Sequence, residues 1–403
     1  MDSLAEIRAS VCGAIDASKN AILEMGRALE RIPELGFQEY KTSDAVSRFF
    51  SEQGIPFVRD VAVTGIKADL QGSGYGPSVC VMGELDAIPC PGHPLADPAT
   101  GAAHACGHHA GLTAMMGAAL GLKNSGAMSF LRGRAVFLAT PAEEFIQLEY
   151  RMELVKKGIL SRLSGKKEML FRGVFDDIDM AMMIHAHCQG PYLFLGRRSM
   201  GFCAKQIRFT GLEAHAAGAP HEGVNALNAA SAALMLIQAQ RETFRDEDGI
   251  RIHPIITKGG DAINVVPADV RMETYVRSWN KEAMDDASRK VDRALEGAAH
   301  AFGAGLGIEQ LEGYLPLRQD PIMDDLMAEE AALLRGAGFV RRGGDFPNST
   351  DAGDVSQAIR AIHPLIGGFS GAPHRKDFAV TDEEMAYVTP AKLMALTVCR
   401  LLQ

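Results

Sequence analysis

Several broad classes are excluded by what the sequence has little of. Its 41 Lys and Arg are outnumbered by 50 Asp and Glu, and no long run concentrates the positive charge. A nucleic-acid groove or a polybasic membrane patch is therefore not expected. No apolar stretch approaches the roughly 20 residues of a membrane helix. The opening MDSLAEIRASVCGAIDASKNAILEMG alternates charged and apolar residues, as an amphipathic helix does. It lacks the basic stretch and apolar core of a secretory signal. Cysteine is sparse and dispersed: Cys12, Cys80, Cys90, Cys106, Cys188, Cys203 and Cys399 form no CxxC pair. An odd, scattered set points to reduced thiols and a cytoplasmic location. Glycine is plentiful without being periodic, which suggests tight turns rather than low complexity.

A chain of 403 residues is long for one hydrophobic core, so two domains are expected. Residues 4–30 and 42–53 read as helices, broken at Pro33 and Gly36. Segments 59–70, 78–84 and 134–140 are β-rich, with Gly72, Gly74, Gly76 and Pro77 as turn residues. Leu112, Met115, Met116, Ala119 and Leu120 mark a buried helix face in 110–124. Strands alternating with helices indicate a largely parallel sheet under helical covers. Near residue 200 the pattern changes. A strand at 204–211, a helix at 224–243, strands at 250–258 and 269–278, a helix at 281–302 and a strand at 307–315 form a β-α-β-β-α-β unit. In its second helix Met284, Ala287, Val291, Ala294, Leu295 and Ala298 share one face. Helices at 321–337 and 390–402 follow. The economical division is a discontinuous domain of residues 1–198 and 316–403, with residues 199–315 inserted.

Chemistry concentrates at a few points. His104-Ala-Cys106-Gly-His108-His109 places four metal-competent residues within six, and imidazole and thiolate both suit zinc-like ions. Glu84-Leu-Asp86 closes an apolar strand, where ligands of open α/β sheets gather. Such acids can orient a ligand histidine. Thr140-Pro-Ala-Glu143-Glu144 ends another strand in adjacent carboxylates, one able to bind a metal and the other to take a proton from water. His185-Ala-His187 follows the apolar run from Met180 to Ile184, and His374 stands alone in PHRKDF.

These motifs resemble, in order and over nearly the full length, the M20 family of metallopeptidases and amidohydrolases. Pro33-Glu-Leu-Gly-Phe-Gln-Glu39 is similar to its N-terminal signature, HACGHH to its metal-binding Cys-Gly-His, and TPAEE to its paired carboxylates. Asn348-Ser-Thr-Asp351-Ala-Gly-Asp354-Val-Ser356, with Ile362-His363-Pro364 and His374, resembles the branch of the aminobenzoyl-glutamate hydrolases and the M20-domain-2 dipeptidases. The resemblance implies an α/β fold with two domains: a mixed-sheet metallohydrolase catalytic domain and an inserted ferredoxin-like lid and dimerisation domain. It implies Cys106, His108, Glu144, His185 and His374 as ligands of one or two divalent ions, zinc or manganese. Glu143 would be the general base, Asp86 an orienting acid, and His215 in GLEAHAA a residue reaching the active site of the other protomer of a homodimer. Asn264 and Arg277 match positions that bind the substrate's polar end. Glu84 stands where the amidohydrolase branch usually has Asp, and His109 where it often has Asp or Asn. Phe145-Ile-Gln-Leu-Glu-Tyr150-Arg151 and a basic segment, Ser161 to Arg172, replace a glycine-rich stretch.

The expected activity is hydrolysis of a C–N bond in a small, carboxylate-bearing molecule. One form is cleavage of an N-acyl or aryl-amide amino acid. The other is hydrolytic deamination of a small aromatic amino-carboxylate such as a substituted anthranilate, which the bulky Phe145 and Tyr150 favour. A scaffold that had lost catalysis would most simply lack Glu143 or a ligand, and none is missing.

Overall fold

The computed structural model describes residues 3–403, which form two compact units. One comprises the chain up to Arg198 with Arg318–Asp345 and Asp354–Gln403; the other comprises Ser199–Leu317 with Phe346–Gly353. The short segment Phe346–Gly353 goes with the insert because Met200 N–H donates to Asn348 O at 3.0 Å and Arg277 donates to Ser349 Oγ at 2.8 Å.

The first unit is built on a six-stranded sheet in the order Phe57–Val61, Gly65–Gln71, Arg134–Thr140, Ser78–Glu84, Met180–Met182, Arg360–Ile362. The last four run parallel, and the first two pair antiparallel as a hairpin. The sheet is therefore mixed. The β-rich segment at 59–70 belongs to two strands, because Asp60, Ala62 and Val63 adopt positive φ and reverse the chain between them. Ser78–Glu84 is buried along its whole length, as a continuous apolar run in a parallel sheet must be. The helix His108–Asn124 is buried almost all round; Leu4–Ala17, Lys19–Glu30 and Thr389–Leu401 pack on it. The segment after Glu144 is not loop throughout, since Leu148–Lys156 and Gly165–Phe171 are helices.

The second unit has the β-α-β-β-α-β order. Gly201–Thr210, Asp269–Ser278 and Gly305–Leu311 pair antiparallel, and Arg251–Ile252 and Ile255–Lys258 extend the sheet along Asp269–Ser278. The helices Ala226–Ala239 and Lys281–Phe302 share one core with it, containing Phe209, Val270, Met272 and Val276. Met284, Ala287, Val291, Ala294, Leu295 and Ala298 are all buried there. Among the described residues, no helix is long and apolar enough to cross a membrane.

One acid is out of keeping with its place. Asp324 lies on the buried face of the helix Pro321–Arg335, beside Met323 and Met327. Burial pushes its carboxyl up to about 7. Unfolded, the group ionises near its ordinary value of about 4. Between those values the folded chain keeps a proton that the unfolded chain has released, so stability falls as pH rises through the window. Asp324→Asn should therefore gain stability relative to the wild type as pH increases, read as diverging urea midpoints below and above the window. Parallel midpoints at both pH values would show that Asp324 is ionised in the folded state.

Candidate metal centre and the residues around it

The sheet's carboxyl end collects the motifs. Ser78–Glu84 delivers Glu84 and, just beyond it, Asp86; Arg134–Thr140 runs into Glu143 and Glu144; Met180–Met182 leads to His185. The Cys106-Gly107-His108 turn opens the helix His108–Asn124. Gly107 has φ +85°, and an added Cβ would lie 2.5 Å from the Cβ of Ala186. Only glycine fits this turn, which lets thiol and imidazole converge. His374 also has positive φ, at +65°, and its N–H donates to Ala105 O at 2.7 Å, tying that loop to the cysteine's neighbour.

Donor atoms converge in overlapping groups. Cys106 Sγ lies 3.5 Å from His185 Nε2 and 3.3 Å from His374 Nε2. His374 Nε2 is also 3.1 Å from Glu144 Oε1. His108 Nε2 faces Glu84 at 3.4 Å, Glu143 at 3.8 Å and Glu144 at 4.0 Å. Cys106, His108 and His185 form one possible ligand triad, Cys106, Glu144 and His374 a second that shares the thiol, and Glu84, His108 and Glu143 a third. His108 Nε2 is buried without a hydrogen-bond partner. Its other nitrogen, Nδ1, sits 3.1 Å from Asp86 Oδ1 and 2.9 Å from Asp86 O. In the neutral ring that a metal would bind, that contact would keep the proton on Nδ1 and leave the Nε2 lone pair free. Burial, reinforced by Glu144, pushes the Cys106 thiol up. A divalent cation is what would release its proton. The donor set fits a divalent metal.

The electrostatics divide the acids. Burial alone would raise Glu84, but Lys166, whose Nζ lies 2.6 Å away, together with His108 holds it well below the usual carboxylate range. Burial opposes ionisation of Asp86 too and is outweighed by His108. Lys166 is a site neighbour that no sequence feature distinguished from its basic segment. His363, which the sequence motif contains but gives no role, stacks on His185 with ring centroids 5.7 Å apart and is pushed down to about 3 by burial and by that neighbour.

The remaining site candidates belong to the second unit. His215 is exposed, its Nδ1 accepts from the N–H groups of Ala217 and Gly218, and it bridges to Val265. Asn264 lies alongside, its carbonyl accepting from Ala216 N–H at 3.0 Å. Arg277 is not with them: it is half-buried against Phe202 and Tyr275 and bound to Ser349. Tyr150 packs with Phe37, Leu154 and Leu160, and its hydroxyl donates to Phe37 O. Packing thus accounts for the bulk at that position, which had favoured an aromatic substrate.

Residues 198–302 match the M20 peptidase dimerisation domain. An N-acetyl-L-cysteine deacetylase of Bacillus subtilis is 26% identical over 321 residues, 77% of this chain and 72% of that protein. Among solved structures, the YXEP protein of Bacillus subtilis, a dinuclear metal-binding peptidase of the M20 family, superposes with a TM-score of 0.76 at 22% identity, covering 96% of this chain and 99% of that one. The aminobenzoyl-glutamate utilization protein of Klebsiella pneumoniae superposes with a TM-score of 0.68 at 19% identity, covering 96% of each. The chain thus matches the M20 dimerisation domain over residues 198–302 and shares over nearly its whole length the fold of a dinuclear metal-binding M20 peptidase.

Proposed function

We propose that this chain hydrolyses the amide bond of a small N-acyl or aryl-amide amino acid, working as a homodimer. The observation that carries the reading is the pair of donor triads sharing Cys106 Sγ, with the Glu143 carboxylate beside His108. Cys106, His108, Glu144, His185 and His374 would hold the metal. Bound there, divalent ions supply Lewis acidity and make a water acidic enough to lose a proton near neutral pH.

The chain's own groups do the rest. Glu143 takes the proton from the attacking water and hands it to the leaving nitrogen, so that the carbonyl carbon gains an oxygen as the C–N bond breaks. Asp86 fixes the ring of His108. His215 of the partner subunit donates to the oxygen on which charge develops. Asn264 and Arg277, which do not lie together within one protomer, each bind the substrate's polar end, and the guanidinium offers a carboxylate two parallel donors. Support for an amide substrate comes from the deacetylase relative, and support for a dimer from the dimerisation-domain match.

Three experiments test this reading. Glu143→Gln should bind metal and fold normally yet lose at least ~10²-fold in turnover on a panel of N-acyl amino acids, the lower range for general-base catalysis. Near-normal turnover would remove Glu143 as the base. Thiol labelling should spare Cys106 in the metal-loaded protein and reach it after chelation, because coordination ties up the thiolate. Equal labelling in both states would take Cys106 out of the ligand set. Finally, inactive Glu143→Gln and inactive His215→Ala proteins, mixed under protomer exchange, should regain activity. In the heterodimer one protomer keeps the base and metal and the other supplies the histidine. Exchange without recovered activity would mean that His215 does not act across the dimer.

A further inference from the structure

The Glu143–Glu144 turn has a backbone that its residues would not adopt unaided. Ala142, immediately before the pair, has φ +49°. That left-handed region is uncommon outside glycine. Two side chains with no solvent exposure, Glu39 and Arg151, hold the turn. Glu39 accepts the Ala142 N–H at 2.8 Å through one oxygen and the Thr64 hydroxyl at 2.6 Å through the other. Arg151 donates through Nη1 to Leu163 O at 2.7 Å and to Ala142 O at 3.5 Å, and through Nη2 to Glu144 O. Three backbone groups of residues 142–144 are thus fixed by two side chains. A fourth, the Glu144 N–H, goes to Asp86 Oδ2 at 3.0 Å.

The N-terminal motif that the mechanism left unused builds the seat for this clamp. Arg151 lies over the Phe37 ring, 5.4 Å from its centroid. A Cβ on Gly36 would come within 2.6 Å of Arg151 Nη2 and 2.9 Å of Ala142 Cα, so only glycine lets the three segments meet. All the hydrogen bonds of Arg151 among the described residues go to carbonyl oxygens, and its Nε has no partner. A buried cation without a carboxylate partner is a costly way to satisfy three carbonyls. Its cost is understandable where geometry, not stability, is what must be held.

We propose that Glu39 and Arg151 are positioning residues that lock residues 142–144, so that the Glu143 and Glu144 carboxylates stay facing His108. This rests on the base and ligand roles proposed above for that pair. The segment after Glu144 then supplies a fixed guanidinium where a glycine-rich stretch would leave the turn free.

The test uses full-length protein loaded with cobalt(II), whose visible spectrum reports ligand geometry, together with steady-state kinetics on the N-acyl amino acid panel. Arg151→Met and Glu39→Ala should keep KM within about threefold while kcat falls about 100-fold, the scale of a group displaced by about 1 Å. Their cobalt spectra should shift toward that of Glu144→Ala. Arg151→Lys keeps the charge and one donor but not the fork, and should recover about tenfold of the lost kcat. A lowered melting temperature with an unchanged spectrum and unchanged kcat, measured where the variants are folded, would make both residues merely structural and overturn the proposal. If Arg151→Met does not fold, Arg151→Lys decides: wild-type kcat and spectrum overturn the clamp, and a fall in kcat at constant KM upholds it. Failure of the underlying reading shows separately, because Glu144→Ala itself would then leave the cobalt spectrum unaltered, and the clamp proposal falls with it.

Discussion

Like charge gathered out of water is what the rest of this site has to accommodate. Glu39, Glu84 and Asp86 are essentially without solvent exposure, and Glu143 is nearly so, all near one end of one sheet. Each such ion costs several kcal/mol to bury unless a partner offsets the loss of water. The partners differ, and so do the outcomes. Glu84 has the Lys166 ammonium and His108, which outweigh burial and keep it ionised. Asp86 has the His108 ring and the Glu144 N–H, and it too is lowered despite burial. Glu39 has the Thr64 hydroxyl and backbone amides as partners; burial and the nearby Asp86 push it up to about 7. Equal burial therefore yields two fixed anions and one acid balanced near neutrality, through neighbours alone.

The second constraint is directional. Strands of a parallel sheet end at one edge, but their last side chains alternate sides, so convergence on one point requires the chain to turn sharply after each strand. After Arg134–Thr140 the structure does this through left-handed Ala142, while left-handed Gly107 and His374, outside that sheet, turn their own segments toward the same point. Gly107 adopts the conformation at no steric cost. The other two need external restraint, given by Glu39 and Arg151 around Ala142 and by the Ala105 carbonyl at His374. Strain of this kind persists only where the surroundings over-determine it.

Much of this was legible in the sequence. The apolar runs ending in Glu84-Leu-Asp86, TPAEE and His185 gave the strand ends, and the helical face from Met284 to Ala298 gave the core of the inserted unit. Cys106-Gly-His108 announced its own turn. His374 was different: spacing could not select a lone histidine more than 260 residues from Cys106, and only the family resemblance picked it out. Glu39, Arg151 and Lys166 were invisible as participants, because a Glu in a helix-entry motif and basic residues in a charged segment look the same buried or solvated. The residue types are ordinary; only their burial and partners set them apart. The hairpin within 59–70 was missed for a related reason, since positive φ at Asp60, Ala62 and Val63 leaves no mark where glycine is absent.

The division of the chain also bears on why metal chemistry is easier to read than substrate. Cys106, His108, Glu143, Glu144, His185 and His374 all belong to one unit, and their donor atoms meet without any contribution from the other. The donor types and their distances state what they can hold. His215, Asn264 and Arg277 belong to the second unit, where they do not form one cluster: His215 and Asn264 lie on neighbouring bridged segments, while Arg277 is engaged with Ser349. A metal selects on coordination geometry, which a single rigid sheet edge can impose. A substrate of this size selects on a few polar contacts whose energies depend on what the free protein must give up to make them. Arg277 would have to exchange its hydroxyl partner and its aromatic neighbours for a carboxylate. That exchange favours a fully charged anion over a neutral amide group, because charge-assisted hydrogen bonds are about twice as strong as neutral ones.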